Sequence, residues 1–149
     1  MGFNPSNRRV NTDRFDKRIA REVNKVRRQR GLDTLRVDSQ LDQAIDYHLV
    51  KTGYDHRGID GSNPTSRARK FGYRPKGNYV RENLYWEYGY GTKNPEALAK
   101  RVVRGWLGSS GHRRAMLNEN IEEIGVGVVR VDGGFNNELV VGITMGDPI

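Results

Sequence analysis

Two runs near the end of the chain, Gly125-Val126-Gly127-Val128-Val129-Arg130-Val131 and Glu138-Leu139-Val140-Val141-Gly142-Ile143-Thr144-Met145, decide the class of fold. Both are rich in β-branched residues, and Asp132-Gly133-Gly134 follows the first, residues that favour the tight turn of a β-hairpin. They read as consecutive antiparallel strands with no helix between them. Working back, Tyr79 to Trp86 is rich in aromatic and branched residues and reads as a third strand. Helical patterns surround it. Phe15, Ile19, Val23 and Val26 recur at steps of four, four and three, so the spacing predicts a helix over Asp13 to Arg30, with Thr12 or Asp13 capping its start and Gly31 its end. Asp38 caps a second helix carrying Leu41, Ala44, Ile45, His48 and Leu49, which should stop near Gly53. Thr65 to Phe71 gives one or two turns ending at Gly72, after a loop from Gly58 to Pro64. Pro95 opens a helix to Leu107 with Leu98, Val102, Val103 and Trp106 on one face. Helices separated from mostly antiparallel strands make an α+β layered domain, not a parallel βαβ fold. The predicted division is a polar arm over residues 1–12 and a single domain over 13–149.

At 149 residues, with no repeat or low-complexity stretch, the chain fits one core. Lys and Arg number 26 against 18 Asp and Glu, and the net charge of +8 draws the chain toward polyanions such as nucleic acid, anionic lipid or wall polymers. The arginines form small groups, not one basic block, so a solvated basic surface answers the same observation. No cysteine is present, which excludes disulfides and thiolate chemistry and leaves only nitrogen and oxygen ligands for any metal. No apolar run approaches the length of a membrane span, and Met1 to Arg9 lacks the apolar stretch of a signal peptide. Gly89-Tyr90-Gly91 lacks the further glycine and helix start of a dinucleotide fingerprint and reads as a loop.

Chemistry has few places to sit. The three histidines are His48 inside the second helix, His56 just beyond it, and His112 in Ser109-Ser110-Gly111-His112-Arg113-Arg114; the last two fall in polar loops. Glu82 stands inside Val80-Arg81-Glu82-Asn83-Leu84-Tyr85-Trp86, where alternation puts it on the same face as Val80 and Leu84, with Asn83 opposite. A carboxylate on a core face is costly unless a cation, a histidine or hydrogen-bond donors stand beside it, and a cleft supplies such a place. Each histidine also reads as a loop or capping residue satisfying backbone groups, and Glu82 as a structural hydrogen-bond acceptor. Spacing alone does not bring His56, Glu82 and His112 together. His48, spaced with Ala44 and Leu41 toward the interior, stays outside the site. Trp86 and Trp106 read as core or cleft-wall aromatics before ligand platforms.

Taken in order from Phe15 to Met145, these segments resemble a prokaryotic CAP domain, of the superfamily of cysteine-rich secretory proteins, antigen 5 and pathogenesis-related 1 proteins (SCP-like, PR-1-like). The pieces that carry the resemblance are Arg30-Gly31-Leu32 with Leu35, Leu41 to His48, His56, Asp60-Gly61-Ser62 with Arg67, Gly72-Tyr73 and Glu82-Asn83-Leu84. After them come Trp106, Ser109 to Arg113, Met116-Leu117-Asn118 and Ile124 to Val128. The resemblance implies a three-layer α-β-α sandwich with a mostly antiparallel central sheet. It further implies a central cleft in which His56, Glu82 and His112 hold a divalent metal such as Zn2+, with Asn83, Ser109 and Ser110 as cleft-lining residues. Two departures stand out: Ser109 where eukaryotic relatives often carry a second glutamate, and Arg81 where the family usually has glycine. Arg81 either pairs with Glu82 and competes with metal or, by strand alternation, points away.

The function implied is a binding module, secreted or at the cell surface, whose ligand is a lipid, a cell-wall or cell-envelope component, or a protein. A hydrolase is the alternative, with Glu82 as base and a metal-activated water, or with a serine beside His112. The serine version lacks both Gly-X-Ser-X-Gly and a placed carboxylate. A nonspecific polyanion or nucleic-acid binder comes third; the charge suits it, but no recognised motif or basic stripe is present, and no specific nucleic acid is expected.

Overall fold

A computed structural model describes residues 13–51, 55–88, 94–131 and 138–149. The elements run α1 (Asp13–Gln29), β1 (Arg36–Val37), α2 (Ser39–Lys51), α3 (Pro64–Lys70), β2 (Pro75–Tyr88), α4 (Pro95–Leu107), α5 (Ser110–Met116), β3 (Glu123–Val131) and β4 (Glu138–Pro148). The sheet order is β1-β3-β4-β2. Strand β4 pairs antiparallel with both β2 and β3, and only the two-residue β1 runs parallel to its neighbour β3. The sheet is therefore mixed, but antiparallel in all its long pairings.

Period-two alternation along β3 and β4 sorts the core into two sides. Val126, Val128, Leu139, Val141, Ile143 and Met145 face α1 and α4, whose stripes of Phe15, Ile19 and Val23 and of Leu98, Val102 and Trp106 form the larger core. On the other face Val129, Val140 and Leu84 meet Ile45 and Leu49 of α2, and Val80 meets Leu41, Ala68 and Tyr73 beside α3. Helices cover both faces of the sheet, which is the α-β-α arrangement. Within the layer on the larger core, the buried Arg27 guanidinium ties α1 to the end of α5 by donating to the carbonyls of Asp33, Met116 and Asn118 at 2.7–2.9 Å.

Several sequence expectations change. Ser110–Met116 is a helix and not a polar loop, so His112 projects from α5. Its short length and Gly111 hide it from periodicity. Strand β2 starts four residues before Tyr79, and its pairing with β4 slips between Pro75 and Val80, where Gly77 adopts φ 61°. Trp106 is buried, its Nε1 donating to the Leu84 carbonyl, whereas Trp86 is 47% exposed and outside the core. The expected arm over 1–12, the helix end at Gly53, the Gly89-Tyr90-Gly91 loop and the turn at Asp132-Gly133-Gly134 lie outside the described residues.

Candidate functional site

Glu82 lies midway along β2, the strand at the edge of the sheet, on the face shared by Val80 and Leu84 and opposite Thr144 of β4. Its side chain is 1% exposed, and two donors meet it. Arg67 Nη2 donates to Oε2 at 2.8 Å, and His56 Nδ1 donates to Oε1 at 2.9 Å. The same guanidinium reaches the His56 carbonyl at 2.8 Å and, through Nη1, the Ser62 carbonyl at 3.0 Å. One buried arginine thus neutralises the carboxylate and stitches both ends of the loop that carries His56. Local sequence supports the placement. Asn63 and Ser66 form a reciprocal capping box with Pro64 in the first turn, which starts α3 so that Arg67 points down onto β2. In the loop, a Cβ at Gly58 would stand 2.3 Å from Ser62 Oγ and 2.8 Å from Asp60 Oδ1, so a larger residue there would have to displace those side chains.

From the other side of the same edge comes α5. Asn83, pointing opposite to Glu82, donates from Nδ2 to the His112 carbonyl at 3.0 Å and so fixes α5 against β2. Between the His56 loop and α5 opens a cleft of about 430 Å³, lined by His56, Arg81, Glu82, Asn83, Ser109 and His112 among others. The three residues 56, 82 and 112 therefore share one cleft across the bare edge of β2. Ser109 lies among its lining residues, and Ser110 is exposed at the start of α5.

The profile of the CAP family, cysteine-rich secretory proteins, matches residues 20–143. The chain belongs to the CAP family. Among curated proteins it is similar to the uncharacterized protein YkwD of Bacillus subtilis (strain 168), at 29% identity over 121 residues. That match takes in 77% of this chain and 42% of YkwD, so the chain spans less than half the length of that relative. Among solved structures it resembles an outer surface protein from Borrelia burgdorferi, with TM-score 0.76, 22% identity, and 96% and 99% of the two chains covered. It also resembles an extracellular SCP-domain protein from Bacillus anthracis, with TM-score 0.61 and 20% identity over 89% of this chain and 40% of that one.

In this CAP domain Glu82 lines the cleft with both oxygens engaged in hydrogen bonds, Oε2 accepting from Arg67 and Oε1 from His56. Among the described residues no group of three or more His, Cys, Asp or Glu is arranged to hold a metal ion. What remains are two imidazoles. Because His56 gives Nδ1–H to Glu82, its Nε2 carries the lone pair whenever the ring is neutral, and the His112 ring meets no hydrogen-bond partner among the described residues. A carboxylate behind a histidine is the usual way such a ring is held for a metal.

Two members of the CAP domain's cluster escape a reading of the sequence. Arg67 sits fifteen residues from Glu82, and only the general need of a buried carboxylate for a cation pointed to such a partner. His48 is buried as expected, yet its Nε2 lies 3.8 Å from Glu82 Oε1 and against the Asp55 carbonyl, so it belongs to the cluster's inner wall. Arg81 follows strand alternation: its guanidinium lies over the Tyr79 ring, 5.5 Å from the centroid, and Arg67 is the cation that pairs with Glu82.

The three imidazoles are pushed apart in titration. The hydrogen bond to Glu82 raises His56 above the ordinary 6.5. Burial lowers His48, and burial followed by the charge on His56 lowers His112. His56 thus adds stability that is full below about 6.5 and is lost as pH rises through its folded value. His48 and His112 add stability that is present above 6.5 and is lost as pH falls through theirs. In metal-free protein, NMR titration of the imidazole protons should show His56 changing at higher pH than His112, with the His56 midpoint falling in Glu82→Gln. Coincident midpoints near 6.5 would refute the cluster.

Proposed function

We propose that this CAP domain is a binding module displayed outside the cell or on its surface, and not a hydrolase. The observation that carries the reading is the state of Glu82. Oε2 is ion-paired with the buried Arg67 and Oε1 holds His56, so the carboxylate lining the cleft serves as an anchor for its neighbours and not as a base toward water or a serine hydroxyl. Among the described residues Ser109 makes no side-chain hydrogen bond at the start of α5, and neither it nor Ser110 pairs with the His112 ring. The names of the Borrelia and Bacillus anthracis relatives, an outer surface protein and an extracellular one, support the location. The net charge of +8 favours a ligand of the cell envelope that carries negative charge, such as an anionic lipid or wall polymer.

His56 and His112 are the residues that would hold Zn2+ or another divalent ion, with Glu82 orienting the first ring. Bound there, the ion would supply a positive anchor for ligand oxygens. Calorimetric titration of metal-free protein with zinc should show one site that disappears in the His56→Ala, His112→Ala double variant. Peptide and ester substrates should show no turnover with or without zinc. Absence of the site, or a site unchanged in the variant, removes metal from the cleft's function; turnover abolished by Glu82→Gln restores the hydrolase.

A further inference from the structure

Beyond the histidines, β2 borders a second cavity of about 440 Å³, walled by Lys76, Tyr79, Arg81, Asn118, Asn120 and Asp147. Arg81 is common to both cavities, so the second continues the first along the strand. The slip in pairing at Gly77 makes this possible. Three more residues on β2 than on β4 fall between paired positions, and the bulge turns Lys76 and Tyr79 out of the regular ladder.

The lining has a definite chemistry. Tyr79 is 60% exposed and offers an aromatic face that no core residue covers. Arg81 stacks on that ring, and its Nε is buried without an acceptor; among the described residues its guanidinium makes no hydrogen bond. A guanidinium left without an acceptor beside a cavity favours a ligand bearing carboxylate or phosphate oxygens. Asn118 and Asn120 bring side-chain amides, which donate and accept, and Asp147 with Lys76 adds a carboxylate and an ammonium 3.6 Å apart. An aromatic platform, amides and one charged pair suit a ring dense in hydroxyls; an uncommitted arginine suits a negative substituent on it. The volume matches that of cavities enclosing small ligands.

We propose that this second cavity is a saccharide subsite selective for a sugar that carries a negative group, with Tyr79 as the stacking platform and Arg81 as the anion-recognising residue. It uses neither imidazole of the cleft, so it stands apart from the metal reading. Tetragalacturonate, glucose 1-phosphate and neutral galactotetraose serve as probes, followed by NMR shift changes and calorimetry at 0.15 M salt. One or both anionic probes should bind saturably, with shifts at Tyr79 and Ile121, and the neutral oligomer about tenfold more weakly. Which anion binds tells whether the charge comes from a carboxylate or a phosphate. Arg81→Gln should weaken binding about tenfold and Arg81→Lys less, Tyr79→Ala should also weaken it, and the His56→Ala, His112→Ala variant should bind as the parent does. Unfolding curves matching the parent's would certify that the Arg81 and Tyr79 variants fold. The proposal is overturned by equal binding of neutral and anionic sugars, by unsaturable retention that vanishes with salt, by affinity unchanged in Arg81→Gln, or by loss of binding in the histidine variant.

Discussion

Glu82→Ala should lower the free energy of unfolding by about 3–5 kcal/mol, because it leaves the Arg67 guanidinium charged and unpaired in a site where both side chains are 1% exposed. For a chain of this size that corresponds to a melting temperature lower by roughly 10 °C. Arg67→Met should cost a comparable amount by a different route: Glu82 keeps His56, but the carbonyls of His56 and Ser62 lose their donor and the loop between them loosens. Removing both charges distinguishes a buried pair from two independent residues. Glu82→Leu combined with Arg67→Met should recover much of the loss, since apolar replacements of a buried pair are often neutral or better. Urea unfolding of the four proteins completes the cycle. A loss under about 1 kcal/mol in Glu82→Ala would mean that water reaches the carboxylate and that the pair is no stronger than a surface one.

That pair also marks how far the sequence could be read. The faces of β2 follow from alternation, and the alternation of Val80, Glu82 and Leu84 against Asn83 appears in the structure as expected. The need of Glu82 for a cation follows from the cost of burying charge, and the structure meets it. Which cation could not be read, because Arg67 lies on a seven-residue helix whose path over β2 depends on the cap at Asn63 and the closed loop before it. The same limit applies to His112. Residues 110–116 contain too few turns to show a helical stripe, so the element that carries His112 becomes visible only once Asn83 is seen holding it. Strand β1 has two residues and no side-chain pattern at all. Long periodic elements were legible; short elements fixed by tertiary bonds were not. The cleft, built mainly from short elements around one long strand, was accordingly the part that needed the resemblance to bring its residues together.

Gly125→Ala should destabilise the fold by about 3 kcal/mol or more, the upper end of what overpacking costs. The expectation rests on how α2 lies on the sheet. Gly125, Gly127 and Gly142 all sit on the face toward α2, and a Cβ at Gly125 would stand 2.2 Å from the Leu41 carbonyl carbon and 2.3 Å from the Asp42 nitrogen. Those are backbone atoms, so no rotamer change relieves the clash. Nor can the helix easily lift. Its start is tied to β3 by Asp38 N–H donating to the Ile124 carbonyl at 2.9 Å and Val126 N–H donating to Asp42 Oδ1 at 2.7 Å. Gly142→Ala meets the Ile45 Cδ1 methyl at 2.6 Å, the mobile end of a side chain, and should cost about 1–2 kcal/mol. Gly111→Ala meets nothing within 4 Å inside α5 and should stabilise by about 0.5–1 kcal/mol. The ordering of the three carries the argument more than any single value, since it separates contact with backbone, contact with a side chain and open space. The effect should also reach the cleft, because α2 carries His48 against Glu82. In Gly125→Ala at temperatures where it remains folded, the His56 titration midpoint should move toward 6.5 as the cluster loosens. A variant as stable as the parent, with His56 unmoved, would show that α2 does not rest on the glycine face and that the cleft is held by Arg67 alone.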